Sequence, residues 1–190
     1  MQRPLHRYIY AQYCVVELDN PSQKHEFFDG EIYAMAGGTA DHSRLASEVL
    51  RTLGNVLADG PCQTHTSDLR LYIEAVGMAT FPDGSVVCGA LEHHPPSPRD
   101  TALNPRVLLE VTSDSSEEND TTSKLEAYRT IPSLRDYIIV SHRERRITVH
   151  HRADDGLWIR RVAITGGKVE VASVGATLSV DEIYRRSDVT

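Results

Sequence analysis

The sequence predicts an α/β fold with a mixed central β-sheet flanked by helices. Three observations predict it. Leu45, Ala46, Val49, Leu50, Leu53, Val56 and Leu57 recur at the helical period, which marks a long amphipathic helix. Leu108, Leu109 and Val111 form an apolar run of the kind found in strands covered on both faces, although Glu110 lies within it. Asp29-Gly30 and Asp154-Asp155-Gly156 each separate two arms rich in strand-forming residues, as hairpin turns do. A buried strand, hairpins and amphipathic helices in one chain form layers around a shared core.

The elements follow in order. Residues 6–19 carry Tyr8, Ile9, Tyr13, Val16 and Leu18 on one side of a helix. His25 to Met35 is a hairpin about Asp29-Gly30, where a type I′ turn needs positive φ at both central residues. The long helix starts at a cap on Thr39 or Asp41 and stops at Gly60-Pro61, because proline cannot continue it. Asp68 to Glu74 alternates polar and apolar residues and reads as a strand with one covered face. Gly84 to Cys88 is a short apolar strand. Glu92 to Pro105 holds four of the nine prolines and reads as a loop with at most one helical turn. Arg106 to Thr112 is the buried strand, Asp114 to Asp120 an acidic loop, Thr121 to Arg129 a short helix and Asp136 to Val140 a strand. Arg146–His151 and Leu157–Ile164 form the second hairpin, and a strand at Lys168–Val171 and a helix at Ser179–Arg185 close the chain.

With 190 residues the chain is long enough to bury a sizeable core, and it reads as one domain, 1–190, with residues 1–20 as an N-terminal helical arm. The net charge of −7 argues against a protein that coats nucleic acid by bulk attraction, but not against an enzyme with a local basic patch. His142-Arg143-Glu144-Arg145-Arg146 with Arg152, Arg160 and Arg161 is such a patch, or else a solvated hairpin surface. Cys14, Cys62 and Cys88 are odd in number and form no CxxC pair, so reduced, packed thiols are expected rather than a disulfide or zinc site. Met1 to His6 lacks the apolar core of a signal peptide, and no run approaches the ~20 apolar residues of a membrane span. A cytoplasmic protein without membrane contact is expected.

Asp83, after Phe81-Pro82, and Glu110 carry the chemistry. A carboxylate inside a buried strand costs several kcal/mol unless it is paired, so Glu110 implies a partner. A divalent cation shared with Asp83 is one such partner. Mg²⁺ or Mn²⁺ prefers oxygen ligands, and the backbone carbonyl of Val111 supplies a third. A lysine nearby would stabilise charge on a phosphate in the transition state. Two residues after the glutamate stands Thr112, not lysine, so the choice falls on Lys124 in the following helix, with Asp120 one turn before it. His42 reads as a contact to phosphate or to a metal-bound water, or as a helix cap. Glu31 points into the same cleft or into solvent. There is no Gly-rich phosphate loop with Lys-Ser/Thr and no GxSxG elbow.

In this order the segments resemble the Uma family of restriction-endonuclease-like proteins, within the PD-(D/E)xK nuclease superfamily. The similarity runs from Lys24 to Tyr184. It is carried by Lys24 to Gly38, His42, Pro61-Cys62, Ser67 to Arg70, Phe81-Pro82-Asp83, Ser85 to Cys88, Leu109-Glu110-Val111, Asp120 to Lys124, Tyr128-Arg129, Pro132-Ser133-Leu134 and Tyr137. The resemblance implies a restriction-endonuclease-like core and Mg²⁺-dependent DNA cleavage. It carries the metal role onto Asp83 and Glu110 and the displaced-lysine role onto Lys124, with Glu31 and His42 as neighbours. Two departures stand out: Thr112 removes the simple E-x-K spacing, and Ser113-Asp114-Ser115-Ser116 replaces the family's Ser-Pro-Ser-Thr, adding a negative charge beside the cleft.

The expectation is therefore an endonuclease acting on DNA, working as a homodimer whose two protomers address both strands. The alternatives are a catalytically inactive nuclease-fold binding module, or a hydrolase of nucleotides or small phosphoesters.

Overall fold

Asp29 and Gly30 turn the chain with φ of 46° and 78°, the left-handed values that a two-residue hairpin requires. The turn joins β1 (His25–Phe28) to β2 (Glu31–Ala34) in antiparallel register. The protein is described by a computed structural model covering residues 7–35, 37–94 and 101–190. Met1–His6, Ala36 and residues 95–100, the last within the expected loop Glu92 to Pro105 with its one helical turn, lie outside the described residues.

Before the hairpin runs α1 (Tyr10–Asp19), and after it α2 (Ala40–Leu57). Thr39 caps α2, its hydroxyl accepting the His42 N–H at 3.1 Å. Asp41 sits in the first turn instead and accepts from Arg44 and Ser187. Then come β3 (Cys62–Thr66), β4 (Arg70–Ile73), β5 (Met78–Thr80), β6 (Gly84–Cys88), β7 (Thr101–Ala102) and β8 (Pro105–Val111). They are followed by α3 (Glu117–Thr121), α4 (Ser123–Arg129), β9 (Asp136–Val140), β10 (Arg146–Arg152), β11 (Trp158–Ile164), β12 (Lys168–Val171), β13 (Ala176–Ser179) and α5 (Val180–Ile183).

The expected mixed sheet is six-stranded, in the order β11-β10-β9-β8-β6-β3. Its interior strand β8 pairs parallel with β9 and antiparallel with β6. A second mixed sheet of five strands, β2-β1-β5-β4-β7, stands beside it, and β12 and β13 form a small ribbon. Several elements depart from the sequence reading. β7 lies inside the expected proline-rich loop, and α3 inside the expected acidic loop, where Glu117, Glu118 and Asp120 favour a helix start. The closing helix shortens to α5 because Ala176–Ser179 pairs with β12. Arg70–Ile73 is covered on both faces rather than one, because Leu71 and Ile73 face the core shared with β8 and α4 while Tyr72 packs against Tyr10 of α1.

The reduced-thiol expectation is overturned at two of the three cysteines. Cys62 and Cys88 face each other directly across the β3–β6 pair and are joined as a disulfide, while Cys14 is free and buried. Spacing along the chain gave no hint of this, because the two cysteines meet only through antiparallel register.

Alternation along β8 divides the interior. Val107, Leu109 and Val111 face a core with Leu45, Val49 and Leu53 of α2, the β12–β13 ribbon and α5. Leu108 faces a second core shared with Leu71, Ile73 and Met78 of the five-stranded sheet and Ala127 and Tyr128 of α4. Helix α2 lies close on β6: a Cβ at Gly84 would meet Leu50 Cδ2 at 2.7 Å, so any larger residue after Asp83 must push Leu50 aside. Among the described residues no helix is long and apolar enough to cross a membrane.

The disulfide joins cysteines 26 positions apart and restricts the unfolded chain accordingly. Cys62→Ser is expected to lower the unfolding free energy by about 2–4 kcal/mol in non-reducing denaturant. The two proteins should unfold alike once dithiothreitol is added. A difference that survives the reductant would mean that the loss comes from packing at Cys62 and not from the cross-link.

Candidate active site

Residues of β8 alternate between the two cores, so Glu110 points the same way as Leu108, beneath α4. It is 4 % exposed. The Tyr128 hydroxyl donates to its Oε1 at 2.7 Å, and Lys124 Nζ donates to the same oxygen at 3.2 Å. Lys124 lies in the first turn of α4, and its side chain runs back to the strand, where it is 5 % exposed. The ammonium also lies 3.0 Å from Glu26 Oε1 and 3.5 Å from Asp120 Oδ1. Glu26 belongs to β1 and accepts from the Thr80 hydroxyl of β5. Tyr137 of β9 donates to the Asp120 carbonyl at 3.0 Å. One ammonium thus gathers carboxylates from β1, β8 and α3.

Asp83 lies between β5, the second sheet's strand, and β6 of the first. Its Oδ2 accepts the Val111 N–H at 2.7 Å, which fixes it beside the end of β8. His42, in the first turn of α2, brings Nε2 to 3.2 Å from the same oxygen.

The electrostatics follow from burial and charge count. Desolvation pushes the Glu110 carboxyl up to about 8; Lys124 opposes the rise, while Asp120 and Asp83 add to it. Burial likewise raises Asp120. Burial alone would lower Lys124, but Glu110, Glu26 and Asp120 override it and hold the amine charged, well above its usual value. The hydrogen bond to Asp83 raises His42 against its own desolvation.

Asp83, Glu110, Val111, Lys124 and His42 are therefore brought together. Glu31 is not in this group: it sits at the turn end of the hairpin opposite Phe28, and its carboxylate accepts the Tyr33 hydroxyl at 2.6 Å. The acid that reaches Lys124 from the hairpin is Glu26, two residues further from the turn. Phe27 is buried in an aromatic cluster with Tyr13. Strand alternation sets Glu26 opposite to Phe27, but only the packing of the layers brings it to Lys124. Asp114 is turned outward and bound by Arg143 at 2.9 Å and His142 at 3.1 Å.

The donor set suits a hard divalent cation. Asp83, Glu110 and the Val111 carbonyl would all offer it oxygen. Asp120 Oδ1 is buried without a hydrogen-bond partner, and four carboxylates surround one lysine and one histidine. Among the described residues no three His, Cys, Asp or Glu side chains form a ready cage, so the fit rests on two carboxylates and a backbone oxygen.

A mixed-sheet α/β core that holds a lysine among carboxylates at the end of an interior strand is a restriction-endonuclease-like fold. The chain belongs to the Uma2 family, described as "putative restriction endonuclease", whose model matches residues 9–181. It is 36% identical over 168 residues to the uncharacterized protein slr1290 of Synechocystis sp., covering 86% of this chain and 84% of that one. It is 30% identical over 149 residues to sll1609 of the same organism, with 78% and 83% covered. A crystal structure of a putative nuclease belonging to DUF820 from Anabaena variabilis superposes with a TM-score of 0.69 at 17% identity, covering 85% of this chain and 89% of that chain, and shares the fold.

Glu110 predicts a pH signature. Its proton is held up to about pH 8 in the fold and released near the ordinary glutamate value of 4.5 in the unfolded chain. The folded chain binds more protons between these values, so stability is full below them and falls as pH rises toward 8. Glu110→Gln removes that dependence. Its melting temperature relative to wild type is expected to rise from pH 5 to pH 8. Parallel melting curves across that range would contradict the assignment.

Proposed function

We propose that this protein is a metal-dependent endonuclease that hydrolyses DNA phosphodiester bonds. The observation that carries the reading is the Lys124 ammonium, buried and held charged within reach of Glu110, Glu26 and Asp120, beside Asp83. Family membership and the nuclease-like fold support it.

The residues divide the work by position. Asp83 and Glu110, with the Val111 carbonyl, are the ligands for Mg²⁺ or Mn²⁺. Bound there, the metal would lower the pKa of a water and neutralise phosphate charge. Glu26 and Asp120 keep Lys124 oriented, so its N–H groups are aimed before substrate arrives and can stabilise the added charge on a phosphate oxygen. His42 steadies Asp83 and offers a donor at the cleft edge. Tyr128 closes the inner side of Glu110 against water. A homodimer remains part of the proposal, with β2, β7, β3 and β11 as the sheet-edge strands; sedimentation equilibrium measures it.

Purified protein is expected to nick supercoiled plasmid in Mg²⁺ or Mn²⁺ and not in EDTA. Asp83→Ala should abolish nicking, and Lys124→Ala should lower the rate at least about 100-fold. Undiminished cutting by folded Asp83→Ala would remove the proposed site.

The net charge of −7, with no group of three His, Cys, Asp or Glu side chains placed for a metal among the described residues, favours a second reading, a non-catalytic binding module on the same fold. Calorimetry with millimolar Mn²⁺ separates the two. The nuclease should give saturable heat that Glu110→Gln removes, and the binding module none.

A further inference from the structure

The basic stretch around β10 is largely neutralised by its own surroundings. Arg143 pairs with Asp114 and Glu117, Arg146 with Glu144, and Arg161 with Glu170. Arg145 and Arg152 donate to backbone carbonyls. Arg160 has no ion-pair or hydrogen-bond partner among the described residues.

Arg160 stands directly opposite His150 in the β10–β11 pair, and both line a cavity of about 270 Å³. The sheet forms its floor through Ile139, Thr148 and His150, and Leu125 and Glu117 flank it from α4 and α3. His150 is 6 % exposed, and its Nδ1 is enclosed without a hydrogen-bond partner. The one acid on the wall, Glu117, is already bound to Arg143 at 2.9 Å. The cavity is separate from the carboxylate cluster: α4 presents Lys124 to Glu110 and the next residue, Leu125, to the cavity.

We propose that this cavity binds a phosphate monoester, its oxygens held by the Arg160 guanidinium beside the Thr148 hydroxyl and the His150 ring. A guanidinium fork matches phosphate oxygens two at a time, and Arg160 has its fork unengaged at the cavity wall. The positive field is visible on His150 itself, which burial, Arg129 and Arg160 together lower to about 4, so the ring stays neutral. A site walled by the sheet and by α3–α4 receives a terminal group more readily than a strand passing through. The ligand is thus a small phosphate ester or the phosphorylated end of an oligonucleotide. This inference does not depend on the nuclease reading.

Trp158, the single tryptophan, lies two residues before Arg160 on the same face of β11 and under the Arg129 guanidinium at 5.7 Å. Its fluorescence is the readout for titrations with inorganic phosphate, a nucleoside monophosphate, and one oligonucleotide carrying either a 5′-phosphate or a 5′-hydroxyl. A saturable change with a phosphate ligand is expected, weakened at least tenfold in Arg160→Gln and retained in Glu110→Gln. Arg160 is exposed, so the variant should melt like the wild type. Equal binding of the mononucleotide and the phosphorylated strand supports a small-molecule site, and preference for the phosphorylated strand supports end recognition. No saturable phosphate binding, or equal affinity in wild type and Arg160→Gln, overturns the proposal. Failure to cut plasmid leaves it standing.

Discussion

The buried ammonium of Lys124 is the constraint on which the rest of the structure depends. Removing it would leave Glu26, Glu110 and Asp120 facing one another in a region shielded from water. Charges so placed are tolerated only when geometry and hydrogen bonds compensate for lost hydration. The compensation here comes from both layers. Thr80 and Glu26 belong to the five-stranded sheet, Glu110 to the six-stranded one, and Tyr128 and Lys124 to the helix between them. The cluster therefore fixes how the layers meet as well as where the charges stand.

Strand β8 gives its two faces different work. Val107, Leu109 and Val111 anchor the apolar core under α2, which needs no polar group. Leu108 and Glu110 face the second core, where a single carboxylate replaces one apolar side chain. The cost falls on one residue and leaves the remainder of the strand well packed. That Glu110 resists ionisation marks a position tuned away from maximal stability, as chemical sites often are.

Much of this was legible in the sequence, for identifiable reasons. Helix α2 and the interior strand announced themselves by period and by apolar continuity, and the Asp29-Gly30 turn by its backbone demands. Asp83, Glu110 and Lys124 were legible because an acid in a buried strand needs a partner, wherever the chain supplies it. What escaped the reading was fixed by contacts distant in sequence. β5 and β7, of three and two residues, are too short to carry a period. β3 is a sheet edge with half-exposed polar residues, so neither its strand character nor the Cys62–Cys88 bond could be seen before the register was known. Glu26 rather than Glu31 reaches the lysine because the hairpin's turn end extends beyond the cluster, a fact of layer placement and not of local pattern.

Between Thr80, which ends β5 in one sheet, and Gly84, which begins β6 in the other, lie only Phe81, Pro82 and Asp83. The ring of Pro82 fixes its φ, and Gly84 lies tight beneath Leu50, so this crossover has little slack. The carboxylate thus rides on the joint itself. Any sliding of one layer over the other would carry Asp83 away from the Val111 N–H that it accepts, making that one hydrogen bond a sensitive gauge of how the two halves are seated.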